Sequence, residues 1–406
     1  MVYLVLSTLT LLFLGLIYAF SMFAAPMCTT FGYERADVAL TFNIMMIAFC
    51  VGCIAGSQID KHLGVNVALI VAAVMFLIGF AGTGLAGSAS IFVVYLLYGV
   101  CGGVGVGIGY NSIVATTNVW FPDKVGFSSG VLMMGFGLGS LILGTLSVNL
   151  LPTFGLSTVF IGIGVATCIV TIIAAMILRR PPANIVELMV PGKVTASGDD
   201  PADNDSPLKT PTFYVYCVWS IIVIAIGLAT IGNCASDAQL VGIEAGFATL
   251  LVGLVSTCNG LARVIIGMVY DRTNVKVTMF VDGVVAVAAA GCIVAAFATN
   301  TPILYIVGAF CCGFCYGGVP VVASAFSRQR FGAKNYPFNL SVVNFCIVFG
   351  SLLNIAVQSA VGGAANRPGV FMALLILSII ALADVFPFSK LWNRDMARLE
   401  ELRSQS

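Results

Sequence analysis

Thr257-Cys258-Asn259-Gly260-Leu261-Ala262-Arg263-Val264-Ile265-Ile266-Gly267-Met268-Val269-Tyr270-Asp271-Arg272 sets a guanidinium inside an apolar run. Arg263 stands eight residues before Asp271, the aspartate that closes the run. At about 1.5 Å per helical residue, Arg263 lies roughly 12 Å inside the edge that Asp271 marks. Insertion scales put an arginine at the centre of a spanning helix at about 2.5 to 3.5 kcal/mol. One reading is a structural arginine, held by an internal ion pair or by backbone carbonyls. The other, which the depth of the charge favours, is a ligand for an anion on a transport path.

The rest of the chain sets the frame for that charge. It is 60% hydrophobic and 9% charged, with a mean hydropathy of +1.06. A soluble domain needs more charge to cover its surface, so an integral membrane protein is expected. A net charge of +1 gives no sign of nucleic-acid binding. The single histidine, His62, excludes a histidine-based metal site. The 13 cysteines fall almost entirely in apolar runs. Cys312 and Cys315, with Cys311 beside them, have too few neighbouring ligands for a metal and read as helix-packing residues. No metal and no cofactor is expected. The stretch from Met1 to Ala25 lacks the basic start of a secretion signal and is too long for its apolar segment, so it reads as a spanning helix.

Runs long enough to span fall near 3–25, 38–58, 66–87, 91–118, 127–149 and 157–178, then near 212–234, 246–269, 277–298, 303–326, 337–360 and 369–389. The pattern predicts an all-α membrane protein of twelve helices in two sets of six. Its parts are 1–178, a first six-helix half, and 212–391, a second, with a linker at 179–211 and a tail at 392–406. Asp199, Asp200, Asp203 and Asp205, set among Pro, Ser and Gly, make the linker read as flexible chain.

Of the 18 Lys and Arg, all but Arg35, Arg263 and Arg367 fall on one side of this arrangement. That bias puts both termini and the linker in the cytoplasm and supports the helix count. The halves also repeat. Gly56-Ser57-Gln58-Ile59-Asp60-Lys61 closes the second helix as Gly267-Met268-Val269-Tyr270-Asp271-Arg272 closes the eighth, with an offset of 211 residues. Phe121 and Lys124 match Phe331 and Lys334 at an offset of 210. Two matched halves suit a transporter that rocks about a central site.

Gly99, Gly103 and Gly107 have small-xxx-small spacing, which predicts close helix packing rather than a nucleotide loop, since no strand precedes them. Asp282 and Asp384 lie six residues from Lys276 and Lys390 and read as structural acids that reach the interface.

The loops after the second and eighth helices resemble the signature of the major facilitator superfamily. The first has one residue more than usual before Gly64, and the second has Asn274 at the usual glycine position. A narrower resemblance, covering essentially the whole chain, is to the oxalate/formate antiporter family, relatives of the monocarboxylate transporters. It rests on Gly15-Leu16-Ile17-Tyr18-Ala19-Phe20-Ser21-Met22-Phe23 followed by Pro26, and on Gly109-Tyr110 with Trp120-Phe121-Pro122-Asp123-Lys124. Leu208-Lys209-Thr210-Pro211-Thr212-Phe213 and the stretch from Asn259 to Arg263 complete it. The resemblance implies a carrier of small organic anions. Oxalate-transporting members have a lysine midway along the eleventh helix, where this sequence has Val343 with Asn344 beside it. An aromatic of the tenth helix is replaced by Cys312, while Tyr316 is kept. With Arg263 as the one cation, a monocarboxylate is the expected cargo.

Tyr110, Tyr316 and Asn344 lie ten to twelve residues from loop markers, so about 15 to 18 Å deep and close to the midplane of a ~30 Å core. Tyr18 falls in the outer half. Each tyrosine alone reads equally as packing; their similar depth to Arg263 makes the set a candidate site. We expect Arg263 to take a carboxylate with both arms of its fork, Tyr18, Tyr110 and Tyr316 to give hydroxyls and walls, and Asn344 or Asn259 to complete the site. Asp60 with Lys61 and Asp271 with Arg272 are candidate gating residues. No carboxylate is read as deep beside Arg263, so exchange of anions is expected; Asp237, towards an outer end, is the candidate carrier of a proton. The partners expected are a small carboxylate, the lipid of the cell's inner membrane, and a proton or counter-anion, for a monomeric protein. A dicarboxylate exchanger and a membrane receptor on the same fold are the alternatives. An enzyme is not expected, because no nucleophile–base pair lies among the intramembrane residues.

Overall fold

In a bilayer, backbone N–H and C=O groups can be satisfied only within helices or a closed barrel. The computed structural model describes residues 1–180 and 201–405, and these form helices with no strand among the described residues. Lys193, Asp199 and Asp200 of the expected linker lie outside the described residues.

The helices are α1 (2–31), α2 (Arg35–Leu63), α3 (Val65–Ala86), α4 (Ile91–Val119), α5 (125–154), α6 (156–177), α7 (Pro211–Ile231), α8 (Ala245–Arg272), α9 (Val275–Thr299), α10 (Pro302–Phe331), α11 (Tyr336–Val361) and α12 (Arg367–Gln405). Helical residues run unbroken from Val125 to Ile177, a span of 53. At about 1.5 Å each that would be roughly 80 Å, over twice a bilayer core. Gly155 resolves the excess. Its φ of 73° and ψ of 162° leave the helical region, which only a residue without Cβ does cheaply, and the chain turns there into two helices. The twelve expected spans are therefore present.

The chain forms two compact units. The first holds Met1–Pro122, residues 131–180 and Leu340–Val342; the second holds Asp123–Gly130, residues 201–339 and residues 343–405. In the first unit α2 and α4 meet through backbone. A methyl on Gly107 would strike the carbonyl of Phe49, and one on Gly103 would lie 2.5 Å from that of Met45. The small-xxx-small spacing is spent on this contact. In the second unit the start of α5 lies on α8 in the same way, Gly126 on Gly267 and Gly130 on the carbonyl of Arg263.

Two stretches expected as free chain are docked in the second unit. α12 continues to Gln405 instead of ending at a tail, with Trp392 and Asp395 buried. Pro201–Asn204 forms a short 3-10 turn against the ends of α10 and α12, and Pro207–Lys209 forms one against α7. Their anchor is Arg330, 1% exposed, which donates from Nη1 to Asp205 Oδ2 at 2.7 Å and from Nε to Asp395 Oδ2 at 3.0 Å. Asp395 Oδ2 also accepts from the Thr212 hydroxyl at 2.5 Å. Asp203 Oδ1 accepts from the amide of Lys334 at 2.8 Å and sits against Gly332, where φ is 71° and a side chain would collide with it. Asp203 and Asp205, two of the four acids that make the linker look disordered in sequence, are the groups that tether this part of it.

Candidate functional site

α8 is the element that positions Arg263. With Gly130 packed on its carbonyl, the backbone there is held against α5, and the side chain is only 3% exposed. Its Nε donates to Asn259 Oδ1, one turn earlier, at 3.4 Å. The i, i+4 spacing read from the sequence therefore does bring these two predicted residues together. Asn259 in turn is pressed by α10: a methyl on Gly317 would lie 2.8 Å from Asn259 Oδ1. Tyr316, 8% exposed, stands next to Gly317 and leans on α7, with its Cβ 2.5 Å from where a methyl on Gly227 would be. α11 is interrupted at Phe345, between Tyr336–Asn344 and Cys346–Val361. Asn344 ends the first piece, 2% exposed, and its Nδ2 has no hydrogen-bond partner among the described residues. A buried amide donor without an acceptor is a group that an oxyanion can satisfy. Val343, beside it, is buried at 1%.

In the first unit, α1 changes to a 3-10 turn over Gly15–Ala19, and this turn carries Tyr18. The ring of Tyr18 meets Phe136 edge-on at 5.4 Å. Tyr110, 4% exposed, lies 4.9 Å from Phe136 and 5.4 Å from Phe49. The two predicted tyrosines of this unit thus share one aromatic neighbour. The sequence reading missed Phe136, although its setting in Gly135-Phe136-Gly137 marks a large ring between residues that leave room for it.

The repeated loop aspartates take different partners. Asp60, 1% exposed, is paired through Oδ1 with Arg180 Nη2 at 2.9 Å, and the same guanidinium donates to the Asp60 carbonyl at 2.8 Å. Lys61 is exposed. Asp271 Oδ1 accepts from the amide of Gly126 at 2.8 Å and Oδ2 from that of Phe127 at 2.7 Å. Those amides belong to the first turn of α5, where N–H groups lack partners in their own helix and the helix end is positive. Arg272 is exposed. Asp60 is thus partnered by Arg180 and Asp271 by backbone amides, while the candidate gating residues Lys61 and Arg272 stand exposed beside them.

Asp237 is on the short helix Cys234–Leu240, outside the spans. It is fully buried and clasped by Arg367, Nε to Oδ1 at 2.7 Å and Nη2 to Oδ2 at 2.6 Å. Burial pushes its carboxyl above the ordinary value, while the hydrogen bonds and charge of Arg367 pull it down. Asp282, expected at the interface, is instead fully buried, and neither carboxylate oxygen has a partner among the described residues.

A sequence profile described as Major Facilitator Superfamily matches residues 5–189 and 212–400. The chain is similar to the oxalate:formate antiporter of Oxalobacter formigenes, at 28% identity over 94% of this chain and 89% of that one. It is also similar to an uncharacterized MFS-type transporter of Escherichia coli (strain K12), YhjX, at 24% identity over 84% and 82% of the two chains. Among solved structures, a bacterial homologue of the iron transporter ferroportin in an outward-facing state superposes with a TM-score of 0.71 at 12% identity, covering 96% of this chain and 98% of that one.

Proposed function

The chain belongs to the Major Facilitator Superfamily, and on that footing we propose that it carries a small organic anion, a monocarboxylate, across the cell's inner membrane by alternating access. It is a transporter and not an enzyme. The observation that carries the substrate reading is Arg263, a guanidinium 3% exposed inside a membrane span. Its planar fork takes a carboxylate through two parallel hydrogen bonds. Asn259, bonded to Nε, fixes the fork's orientation. Asn344 Nδ2 is a second donor, and Tyr316, Tyr110 and Tyr18 supply hydroxyls and walls.

Val343 supports a monoanion over a dianion, since the position that would hold a second cation in oxalate carriers is apolar. Similarity to the oxalate:formate antiporter of Oxalobacter formigenes supports the alternative, a dicarboxylate exchanger. Asp60 and Asp271 would hold one state of the carrier shut and release their partners in the other. The basic residues of the loops put both termini in the cytoplasm.

The test is uptake of radiolabelled formate, lactate, pyruvate and oxalate by the purified protein in vesicles, both empty and loaded with the same unlabelled anions as counter-substrates. The monocarboxylate reading expects uptake of one of the first three above that of oxalate. Preference for oxalate would establish the alternative, and uptake of none would leave a non-transporting receptor.

A further inference from the structure

The acid that the site does not use is Asp282. It lies on α9, seven residues after the helix begins at Val275, so about 10 Å along it. It is completely buried, and both carboxylate oxygens are without a hydrogen-bond partner among the described residues. The other acids buried to this degree in the second unit each have an arginine: Asp237 has Arg367, and Asp395 has Arg330. No charged side chain among the described residues is bonded to Asp282. From α10 it meets Gly318 and the thiol of Cys315, the titratable group that faces it, whose Sγ donates to the Cys312 carbonyl at 3.4 Å. α7 and α12 reach the adjacent Gly283 with Trp219 and Leu382, and the Nε1 of Trp219 is itself without a partner among the described residues. α8, also packed on α9, brings no charged side chain to it.

An ionised carboxylate enclosed in this way is among the costliest groups a fold can hold, and a neutral carboxyl is far cheaper. A metal cation would need several oxygen ligands, which these neighbours do not provide. One oxygen is enough for a proton.

Position makes the proton useful. A methyl on Gly318 would come within 2.8 Å of Asp282 Oδ1, and one on the preceding Gly317 within 2.8 Å of Asn259 Oδ1. Asn259 is the residue bonded to Arg263. A glycine pair of α10 is thus the spacer between the acid and the helix that holds the arginine. Packed backbone passes a small displacement on, because close-packed interiors do not absorb it.

We propose that Asp282 is the proton-binding site of this carrier. The inference rests on the anion-carrier reading above. Its carboxylate takes one proton from hydronium on one side of the membrane, forming an O–H bond and leaving water. It stays a neutral acid while the carrier reorients with an anion on Arg263, and it then returns the proton to water on the other side. The charges then close in both crossings. The loaded core holds Arg263 positive, the substrate negative and Asp282 neutral, and the empty core holds Arg263 positive and Asp282 negative. Neither direction leaves a bare net charge in the membrane.

The experiment uses the full-length protein in vesicles that enclose a pH-reporting dye, with the radiolabelled formate, lactate, pyruvate and oxalate panel outside. One proton per monoanion predicts about tenfold accumulation for an inward gradient of one pH unit. Acidification inside should accompany uptake, above that of protein-free vesicles. In Asp282→Asn the ratio of uptake with and without the gradient should fall to one. Asn is uncharged and the size of the neutral acid, so the variant should insert and stay monodisperse; a variant that misfolds counts against the proposal. Wild-type uptake with no gradient dependence and no proton arrival would overturn it while leaving the carrier reading in place. A gradient-driven Asp282→Asn would overturn it equally. Wild-type protein that takes up no anion, whether the vesicles are empty or loaded with unlabelled counter-anion, would remove the carrier reading and this inference with it.

Discussion

Asp395 and Asp282 are both closed off from solvent in the second unit, and the fold treats them in opposite ways. Asp395, 6% exposed, is held by Arg330 at 3.0 Å and by the Thr212 hydroxyl at 2.5 Å. Asp282, with no exposure at all, has neither a cation nor a donor among the described residues. The first lies beyond the apolar part of α12, where a permanent charge can be matched with other charges near water. The second lies inside the apolar length of α9. A cluster of three charged side chains, Arg330, Asp205 and Asp395, fixes helix ends and a linker segment; an acid left bare is suited to changing its charge. The difference separates charges that hold the protein together from one that can take part in transport.

Variants should rank accordingly. Arg330→Met removes the buried cation from Asp205 and Asp395, leaving them Arg398 at 3.6 Å and the Thr212 hydroxyl, and should cost about 3–5 kcal/mol, the largest fall in the thermal midpoint measured in one detergent. Asp237→Asn should cost roughly 2–3 kcal/mol, less than a fully stranded charge, because Arg367 keeps the Ala229 carbonyl at 3.0 Å and the face of Phe371 at 5.2 Å. Val343→Lys introduces a cation at an apolar position, at about 2.5–3.5 kcal/mol on insertion scales, and water drawn to the buried ammonium should make the measured loss smaller. Its functional effect is the informative one: competition uptake should move from monocarboxylate towards oxalate. Asp282→Asn should move the midpoint least, within about 1 kcal/mol, since it breaks no bond that the acid makes. A loss for Asp282→Asn as large as for Arg330→Met would erase the distinction between the two acids.

The sequence made most of the fold legible, because a bilayer accepts few structures. The twelve apolar runs, the repeated loops at Asp60 and Asp271 and the depth of Arg263 all follow from hydropathy and helical rise. The pairing of Arg263 with Asn259 follows from i, i+4 spacing along one helix. What was hidden depends on which faces meet. Asp203 and Asp205 sit in a segment with the composition of free chain, and their partners Lys334 and Arg330 lie 131 and 125 residues away. The nearness of Lys276 in sequence suggests that Asp282 reaches the interface, yet its side chain points at Gly318 on the next helix. Tyr18 and Tyr110 share Phe136 through a 3-10 turn in α1 that periodicity alone does not reveal.

The central claim is that Arg263 binds the transported carboxylate. Its most direct measurement is uptake of the labelled anions by Arg263→Gln, first shown to be monodisperse and to match the wild-type thermal midpoint. The account predicts that uptake is abolished, and that Arg263→Lys keeps at best a weak remainder because an ammonium is a point charge without the two-armed fork. Normal uptake by well-folded Arg263→Gln would contradict it and return Arg263 to a structural role.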